Sequence, residues 1–530
     1  MGMMLIGNLA RRQCSAISQG GQEKSAKTFS SDDPTPNMLG NGDKDDQVAR
    51  KSQAVWSAVS EPILIDFLQT SYNRLLRLFR WNEPRNAKSL EQEAEAMNRW
   101  PVQFLWGAAT FVLMANWVTA QQPSRRPVSN KQTPIRPVVT PKKQSTDRKT
   151  HDLTKLHPVE REMYRSALAG SQWLLRFNRP SGQFLYGYVP SLRRPLEGDN
   201  YIHQVQAAFA LARAAGFYGE KKQMAVARQA ILTLLLETKK PHKTSALRYT
   251  IFANQSVNRL AAAAWLVLAI NELPEPGADL LVQSEELCNF IRSQQLTDGS
   301  MCCTGSPRNA AGNANIPGNR VYAGQALYAL GRSLRHRSGE AASWKLDTIK
   351  KAFAYYRKSW QAKKTMEMVP WHSAAYGEAC LRTKEQVYAD WVYEMNDWIC
   401  KLQYKQATAE NLQWFGGFQG WSGKHPVFVD PTIHSAVYME GLAQGARVAR
   451  MTGDIQRHNQ YRTAMFRCGQ FLSLLQYKSA NTTHFQPRFR ELILGGYHAS
   501  HQDGILRLDY TQEAVSGLVV YLRDVAKVPH

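Results

Sequence analysis

The stretch LAAAAWLVLA, residues 260–269, has small and large apolar side chains on every side of a helix and no charged residue. A helix that is apolar all round is buried on all sides, inside a large protein or in a membrane. Two further stretches are similarly rich in small apolar residues, AAFALARAAG at 207–216 and AGQALYALG at 323–331. The sequence therefore predicts several helices that are enclosed by other helices.

Outward from these stretches, the pattern predicts twelve helices between residue 156 and the C-terminus, with little strand-like alternation. Short connections such as 218–219 and 453–454 alternate with long ones such as 178–200 and 405–431. The even-numbered helices start near residues 201, 257, 320, 370, 432 and 508, and this self-similarity marks a repeat architecture. We predict an all-α fold of six helical hairpins, with the more apolar even-numbered helices as an inner ring.

The first 155 residues have a different character. Residues 1–50 have the composition of a disordered tail, and residues 51–98 contain an amphipathic helix with a basic flank. Residues 99–120 include PVQFLWGAATFVLMANWVTA (101–120), an uncharged stretch about as long as the ~20 residues that span a bilayer. A basic, proline-rich linker follows at 121–155.

These features predict a single-pass membrane protein whose globular domain, residues 156–530, lies outside the cytoplasm. The charges flanking the span are basic on both sides and do not set its orientation. For residues 101–120, the alternative is a buried helix of the globular body.

The overall composition is globular, with 43% hydrophobic and 21% charged residues. A net charge of +23 favours anionic partners such as nucleic acid, lipid headgroups or acidic glycans. The sequence has neither a zinc-finger nor a homeodomain spacing, so we do not expect nucleic acid as the partner. Its seven cysteines show no C-x-x-C spacing and fix neither the redox compartment nor a metal. We predict no cofactor.

In a ring of helical hairpins, the long connections gather at one rim, above the N-terminal ends of the inner helices. The fifth such end has the sequence DPTIHSAVY, in which Asp430 and His434 are placed to move protons. A glycine-rich loop before it carries Trp414 and Trp421, which suit stacking on sugar rings. The alternative is structural, because Pro431 after an aspartate is an ordinary helix start and the aromatic rings can fill the barrel.

The sixth inner helix begins with RLDYTQE, residues 507–513. Asp509 and Glu513 are four residues apart and share a helix face. A nearby Arg507 keeps one carboxylate ionised while burial raises the pKa of the other, the division that acid/base chemistry at a glycosidic or uronate carbon requires. A structural salt bridge would account for the same residues.

Further candidates lie at the starts of the other inner helices. Asp199 is expected to cap a helix or to bind substrate, and Arg259 and Arg320 suit bidentate binding of an acidic group. An H-x-x-H-x-D string at 498–503 is expected to be a surface loop, and we predict no metal. The predicted catalytic residues are Asp430, His434, Asp509, Tyr510 and Glu513. The predicted substrate-binding residues are Asp199, Tyr201, His203, Arg259, Arg320, Trp371, Trp414, Trp421 and Arg507.

Residues 157–530 resemble the (α/α)6 toroids, the six-hairpin architecture of many glycosidases, polysaccharide lyases and sugar epimerases, and also of terpenoid cyclases. The turns FNRPSGQF (177–184) and SQQLTDGSM (293–301) carry this resemblance. The segment LGGYHASHQDGILRLDYTQEAVSGL (494–518) is similar to the C-terminal helical part of glucuronyl C5-epimerases. The resemblance implies an enzyme acting on an acidic polysaccharide by hydrolysis, elimination or C5 epimerisation.

Two other functions stay open at this point. One is a membrane-tethered binding or scaffold module without catalysis, and the other is a terpenoid-type cyclase. The cyclase acid motif matches only at residues 43–46 in the tail, and the Gln-x-x-Asp-Gly-x-Trp repeat matches once with Met301 in place of tryptophan. Carboxylates and an arginine within reach of one another favour the sugar enzyme, an aromatic wall with a lone aspartate favours the cyclase, and a filled barrel favours the scaffold.

Overall fold

The computed structural model describes residues 151–251, 258–302, 319–336, 343–409 and 411–529. The predicted tail, amphipathic helix and membrane span, and all of the linker before residue 151, lie outside these ranges. Among the helices that the described ranges contain, none is both long enough and apolar enough to cross a bilayer.

The described ranges contain thirteen α-helices, numbered here in chain order. The inner ring consists of α2 (Tyr201–Tyr218), α4 (Arg259–Glu272), α6 (Asn319–Ser333), α8 (Met368–Thr383), α10 (Tyr438–Thr452) and α13 (Leu508–Val520). The outer helices are α1 (Pro158–Phe177), α3 (Lys221–Leu235), α5 (Ala278–Ser293), α7 (Ser343–Ala362), α9 (Gln386–Lys401) and α11 (Ile455–Leu474). A short helix, α12 (Pro487–Ile493), lies in the connection between α11 and α13.

The inner helices close into a ring. Each packs against the next, from α2 through α4, α6, α8 and α10 to α13, and α13 packs back against α2. Each outer helix packs on the inner helix before it, and α1 completes the layer by packing on α13. The fold is an (α/α)6 toroid, which confirms the six-hairpin prediction.

Small residues let the inner helices approach closely. A Cβ added at Gly324 on α6 would lie 2.9 Å from side-chain atoms of His372 and Trp371 on α8. A Cβ at Gly377 on α8 would lie 2.9 Å from Gln444 on α10. In α4, every residue from Leu260 to Glu272 is buried, as expected for an inner helix covered on all sides.

A network of buried ion pairs crosses the ring at the C-terminal halves of α2, α4, α6 and α8. Arg213 on α2 donates to Glu440 on α10 at 2.5 Å. Arg332 on α6 bridges Glu272 on α4, at 2.7 Å, and Glu378 on α8, at 3.2 Å. The network also includes Tyr328, Arg447, Arg523 and Asp524. Each charge is paired, as burial requires, so the network ties the ring together below the rim.

Short strands fasten the connections at the rim. In a three-stranded antiparallel sheet, β1 (Gly187–Val189) lies between β2 (Arg194–Leu196) and β7 (Leu506–Arg507). Two smaller hairpins pair β3 (Thr238–Lys239) with β4 (Tyr249–Thr250), and β5 (Gly420–Trp421) with β6 (Pro426–Val427). The three-stranded sheet joins the α1–α2 connection to the start of α13, so residues distant in sequence meet there.

Candidate functional site at the rim

The start of α13 fixes an arginine and an aspartate against each other. Arg507, in β7, donates from Nε to Oδ1 of Asp509 at 3.0 Å and from Nη2 to Oδ2 at 2.7 Å. Its Nη1 donates to the Tyr510 hydroxyl at 3.1 Å. Bidentate pairs of this kind hold both partners in a set orientation. Arg507 is therefore paired with Asp509, and its role in holding a substrate carboxylate stays a prediction.

His203, one turn into α2, lies beside this pair. Its Nδ1 is 3.8 Å from Oδ1 of Asp509 and 3.4 Å from the hydroxyl of Tyr186. The Tyr186 and His203 rings are stacked, with centroids 5.9 Å apart. Burial lowers the pKa of His203, and the charge of Asp509 opposes this shift in part. His203 therefore favours the neutral, proton-accepting form at neutral pH.

His434 forms the second imidazole of the rim. It lies in a 3-10 turn, Ile433–Val437, and α10 begins only at Tyr438, so the predicted helix start near residue 432 is wrong. Its Nδ1 is 2.8 Å from Oε2 of Glu513, and the side chains are 55% and 15% exposed. Glu513 raises the pKa of His434. Burial raises the pKa of Glu513, and His434 opposes that shift.

A pocket of about 420 Å³ opens next to His434. Its walls come from the α7–α8 connection, residues 363–367, and from residues 418–438. The lining includes Trp421, Asp430, His434 and Tyr438. One carboxylate oxygen of Asp430, Oδ1, is buried and has no hydrogen-bond partner. His434 is therefore the member of the imidazole–carboxylate pair that lines the pocket, and Glu513 binds it from outside the lining.

At the start of α2, the predicted residues Asp199 and Tyr201 have different surroundings. Asn200 is the N-cap and accepts from the backbone N–H groups of residues 202 and 203. Asp199 accepts from the Asn200 N–H and from the Gln204 side chain instead. Tyr201 is buried, and its hydroxyl donates to the Leu234 carbonyl on α3 at 2.8 Å. Tyr201 thus faces an outer helix, and its predicted substrate contact is wrong.

Four other predicted residues contact aromatic or backbone groups. The Arg259 guanidinium lies 5.8 Å from the Tyr249 ring centroid, and the Arg320 carbonyl is 2.8 Å from Nε2 of His372. Trp371 packs edge-to-face on Trp265. The Trp414 ring packs at a tilt against the rings of Tyr404 and Phe428, with centroids 5.5 and 4.9 Å apart. Trp421 alone among the predicted tryptophans lines the pocket.

Sequence reasoning missed Tyr186, which contacts both His203 and Arg507. The guanidinium carbon of Arg507 lies 5.7 Å from the Tyr186 ring and 4.6 Å from the Tyr510 ring. A hairpin signal was present in GYVPSLRRPL (187–196), where a Pro-Ser turn separates two short extended runs.

The described residues contain no group of three or more possible metal ligands. Within the predicted loop at 498–503, the two histidines contact backbone carbonyls. Nδ1 of His498 is 2.7 Å from Ser500 O, and Nε2 of His501 is 3.1 Å from Gln413 O.

No family model matches the chain, and no curated protein matches it significantly. Several solved structures are similar in fold. An alpha-1,6-mannanase from Salegentibacter has 10% sequence identity, a TM-score of 0.45, and coverage of 68% of this chain and 99% of its own. A D-mannose isomerase has 13% identity, a TM-score of 0.45, and coverage of 70% and 100%. A type II terpene cyclase from Scytonema has 10% identity, a TM-score of 0.40, and coverage of 69% and 99%.

Proposed function

We propose that the toroid is a carbohydrate-active enzyme that moves a proton at a sugar carbon. The observation that carries the proposal is that His434, which lines the pocket, is paired with Glu513 at 2.8 Å. A second imidazole, His203, lies 3.8 Å from Asp509 on the adjacent inner helix. Groups whose surroundings push their pKa values apart are suited to opposite acid and base roles. Here the pKa of His434 is raised and that of His203 is lowered.

The pairing of the carboxylates favours proton transfer at carbon over hydrolysis. A glycosidase uses two carboxylates about 5 to 10 Å apart, one on each side of the bond that breaks. At this rim, Asp509 accepts two hydrogen bonds from Arg507, and Glu513 is bound to His434. The imidazoles are therefore better placed than these two carboxylates to meet a substrate.

For epimerisation at C5 of a uronate, neutral His203 takes the C5 proton and protonated His434 returns one to the other face. For elimination, His203 takes the same proton, the C4–O bond breaks, and His434 protonates the departing oxygen. Burial raises the pKa of Tyr510, which keeps its hydroxyl protonated and able to donate to charge that develops on the sugar. Both reactions require an electron-withdrawing carboxyl group beside the carbon, so the proposed substrate is an acidic polysaccharide.

The uncharged stretch at 101–120 supports a further part of the proposal, that a single helix anchors the enzyme in a membrane with the toroid outside the cytoplasm.

The test uses the full-length protein, purified in detergent and incubated with polygalacturonate, alginate and heparosan. An unsaturated product, detected by its ultraviolet absorbance, supports elimination, and an altered uronate composition of the polymer supports epimerisation. New reducing ends without either change would assign hydrolysis and contradict the proposed mechanism. Unchanged polymers would favour the scaffold function.

A further inference from the structure

Two arginines converge on one phenylalanine at the tip of the β1–β2 hairpin. The guanidinium carbon of Arg193 lies 5.0 Å from the centroid of the Phe489 ring on α12. That of Arg488 lies 4.6 Å from the same centroid. Both arginines are exposed. Neither forms an ion pair with an acidic residue in the part of the chain that the structure describes, so two positive charges are held close together without neutralisation.

The backbone at Arg193 is strained. Its φ is +52°, in the left-handed region that favours glycine. The Arg193 N–H donates to the Pro190 carbonyl at 3.2 Å and closes the turn. Glycine would adopt this turn without strain, yet the position carries a long cationic side chain directed onto Phe489.

The hairpin links this arginine pair to the rim site. Gly187 in β1 pairs with Arg507 in β7, and the strand register places Val189 opposite Arg194 next to the tip. With a rise of about 3.3 Å per residue, the tip lies roughly 10 Å from the Gly187 end of the hairpin. An extended polymer bound at the rim site can therefore reach it.

A charged polymer bound at the rim site needs cations beyond Arg507, and Arg193 and Arg488 supply them. Arg507 is committed to Asp509 by two hydrogen bonds, so a polymer with a charged group on each sugar needs other cations along its path. Guanidinium groups bind carboxylates and sulfates bidentately. Both guanidinium groups lie over the Phe489 ring, which keeps them near each other.

We propose that Arg193, Arg488 and Phe489 form a binding subsite for the carboxylate or sulfate groups of an acidic polysaccharide. Its placement as a subsite for substrate rests on the proposed function of the rim. Occupancy of the subsite does not require turnover, so it is measured separately.

The experiment is a binding titration of the full-length protein with fluorescent polygalacturonate and heparin oligosaccharides. The test variant is Arg193→Gly with Arg488→Ala. The matched control is Lys350→Ala with Lys351→Ala, which removes the same two charges from the exposed surface of α7. We expect at least tenfold weaker binding in the test variant and less than a twofold change in the control. Glycine relieves the strain at residue 193, and a melting temperature of the double test variant close to that of the wild type excludes misfolding.

Equal losses in the two double variants would overturn the proposal, since they would show attraction to net charge alone. So would wild-type binding of RNA, or of anionic phospholipid vesicles, that depends on this pair more than oligosaccharide binding does. Specific binding by a protein that transforms none of the polymers would leave the subsite standing and contradict the proposed function. Turnover with binding that is insensitive to Arg193 and Arg488 would support the proposed function and overturn the subsite.

Discussion

Replacing Glu513 by glutamine keeps the shape of the side chain and removes its negative charge from His434. At an effective dielectric constant of about 20, unit charges at the 2.8 Å separation attract by about 6 kcal/mol. His434 is 55% exposed, and exposed pairs contribute only about 0.2 to 1 kcal/mol. Because Glu513 is buried and His434 is exposed, we expect Glu513→Gln to remove about 1 to 2 kcal/mol of attraction between the two side chains. This value is nearer to that of exposed pairs than to the 6 kcal/mol above.

The assay is a histidine titration followed by NMR on protein labelled at the imidazole carbons. In the wild type, the pKa of His434 lies above its ordinary value because of Glu513, and in Glu513→Gln it falls back towards that value. His372 is the internal control, because burial lowers its pKa to about 4 and its ring contacts the Arg320 carbonyl, not a residue of this pair. A His434 resonance that titrates identically in both proteins would refute the pairing.

The same substitution has a defined effect on stability. His434 has a raised pKa in the folded protein, so its contribution is fully present below the unfolded pKa and is lost as pH rises through the folded pKa. The difference in unfolding free energy between the wild type and Glu513→Gln should therefore shrink as pH rises through that range. A difference that grows with rising pH would contradict this assignment.

Three further outcomes follow from the structure. Glu272→Gln should cost about 3 kcal/mol of unfolding free energy in denaturant titrations, the lower end for breaking a buried pair, because Arg213, Arg332 and Arg523 each keep a second carboxylate. The exposed Glu275→Gln should cost little. Since the pKa of Glu272 is held well below its ordinary value, this stabilisation is present above the ordinary pKa and is lost as pH falls. Gly416→Ala should destabilise the protein more than Gly423→Ala does, as measured by calorimetry. Both glycines have a left-handed φ, which alone costs alanine about 1 to 2 kcal/mol. Of the two, only Gly416 would place the added Cβ 2.0 Å from a backbone oxygen. Arg507→Lys should lower the unfolding free energy by about 1.5 to 3 kcal/mol through its lost charged hydrogen bond. It should lower kcat by a larger factor than it raises KM; equal factors would indicate a role in substrate binding.

The ring could be predicted from sequence because its determinants are local. Runs of small apolar residues such as 260–269 identify inner helices, and Gly219 and Gly453 end two of them in the left-handed conformation. The buried ion network was not predicted, since its partners come from different helices. The sequence indicates the network only through Arg213, the one charged residue in the apolar run 207–216.

The candidate site was only partly predictable for the same reason. Asp509 and Glu513 share a face through helix periodicity alone, whereas His434 and Glu513 are 79 residues apart and meet through the ring closure. The orientation of Tyr201 depends on where α3 packs. The position of Tyr186 depends on a strand pairing with β7 that a short run of residues does not specify.

The most direct measurement is the uptake of solvent deuterium at C5 of a polyuronate, by mass spectrometry, comparing wild-type protein with His434→Asn in heavy water. Epimerisation by the rim imidazoles predicts uptake with the wild type, elimination predicts an unsaturated product without uptake at C5, and either reaction should be about 10² to 10⁴ times slower with the variant. Equal rates for the two proteins, or turnover by the wild type that gives neither uptake nor an unsaturated product, would contradict it.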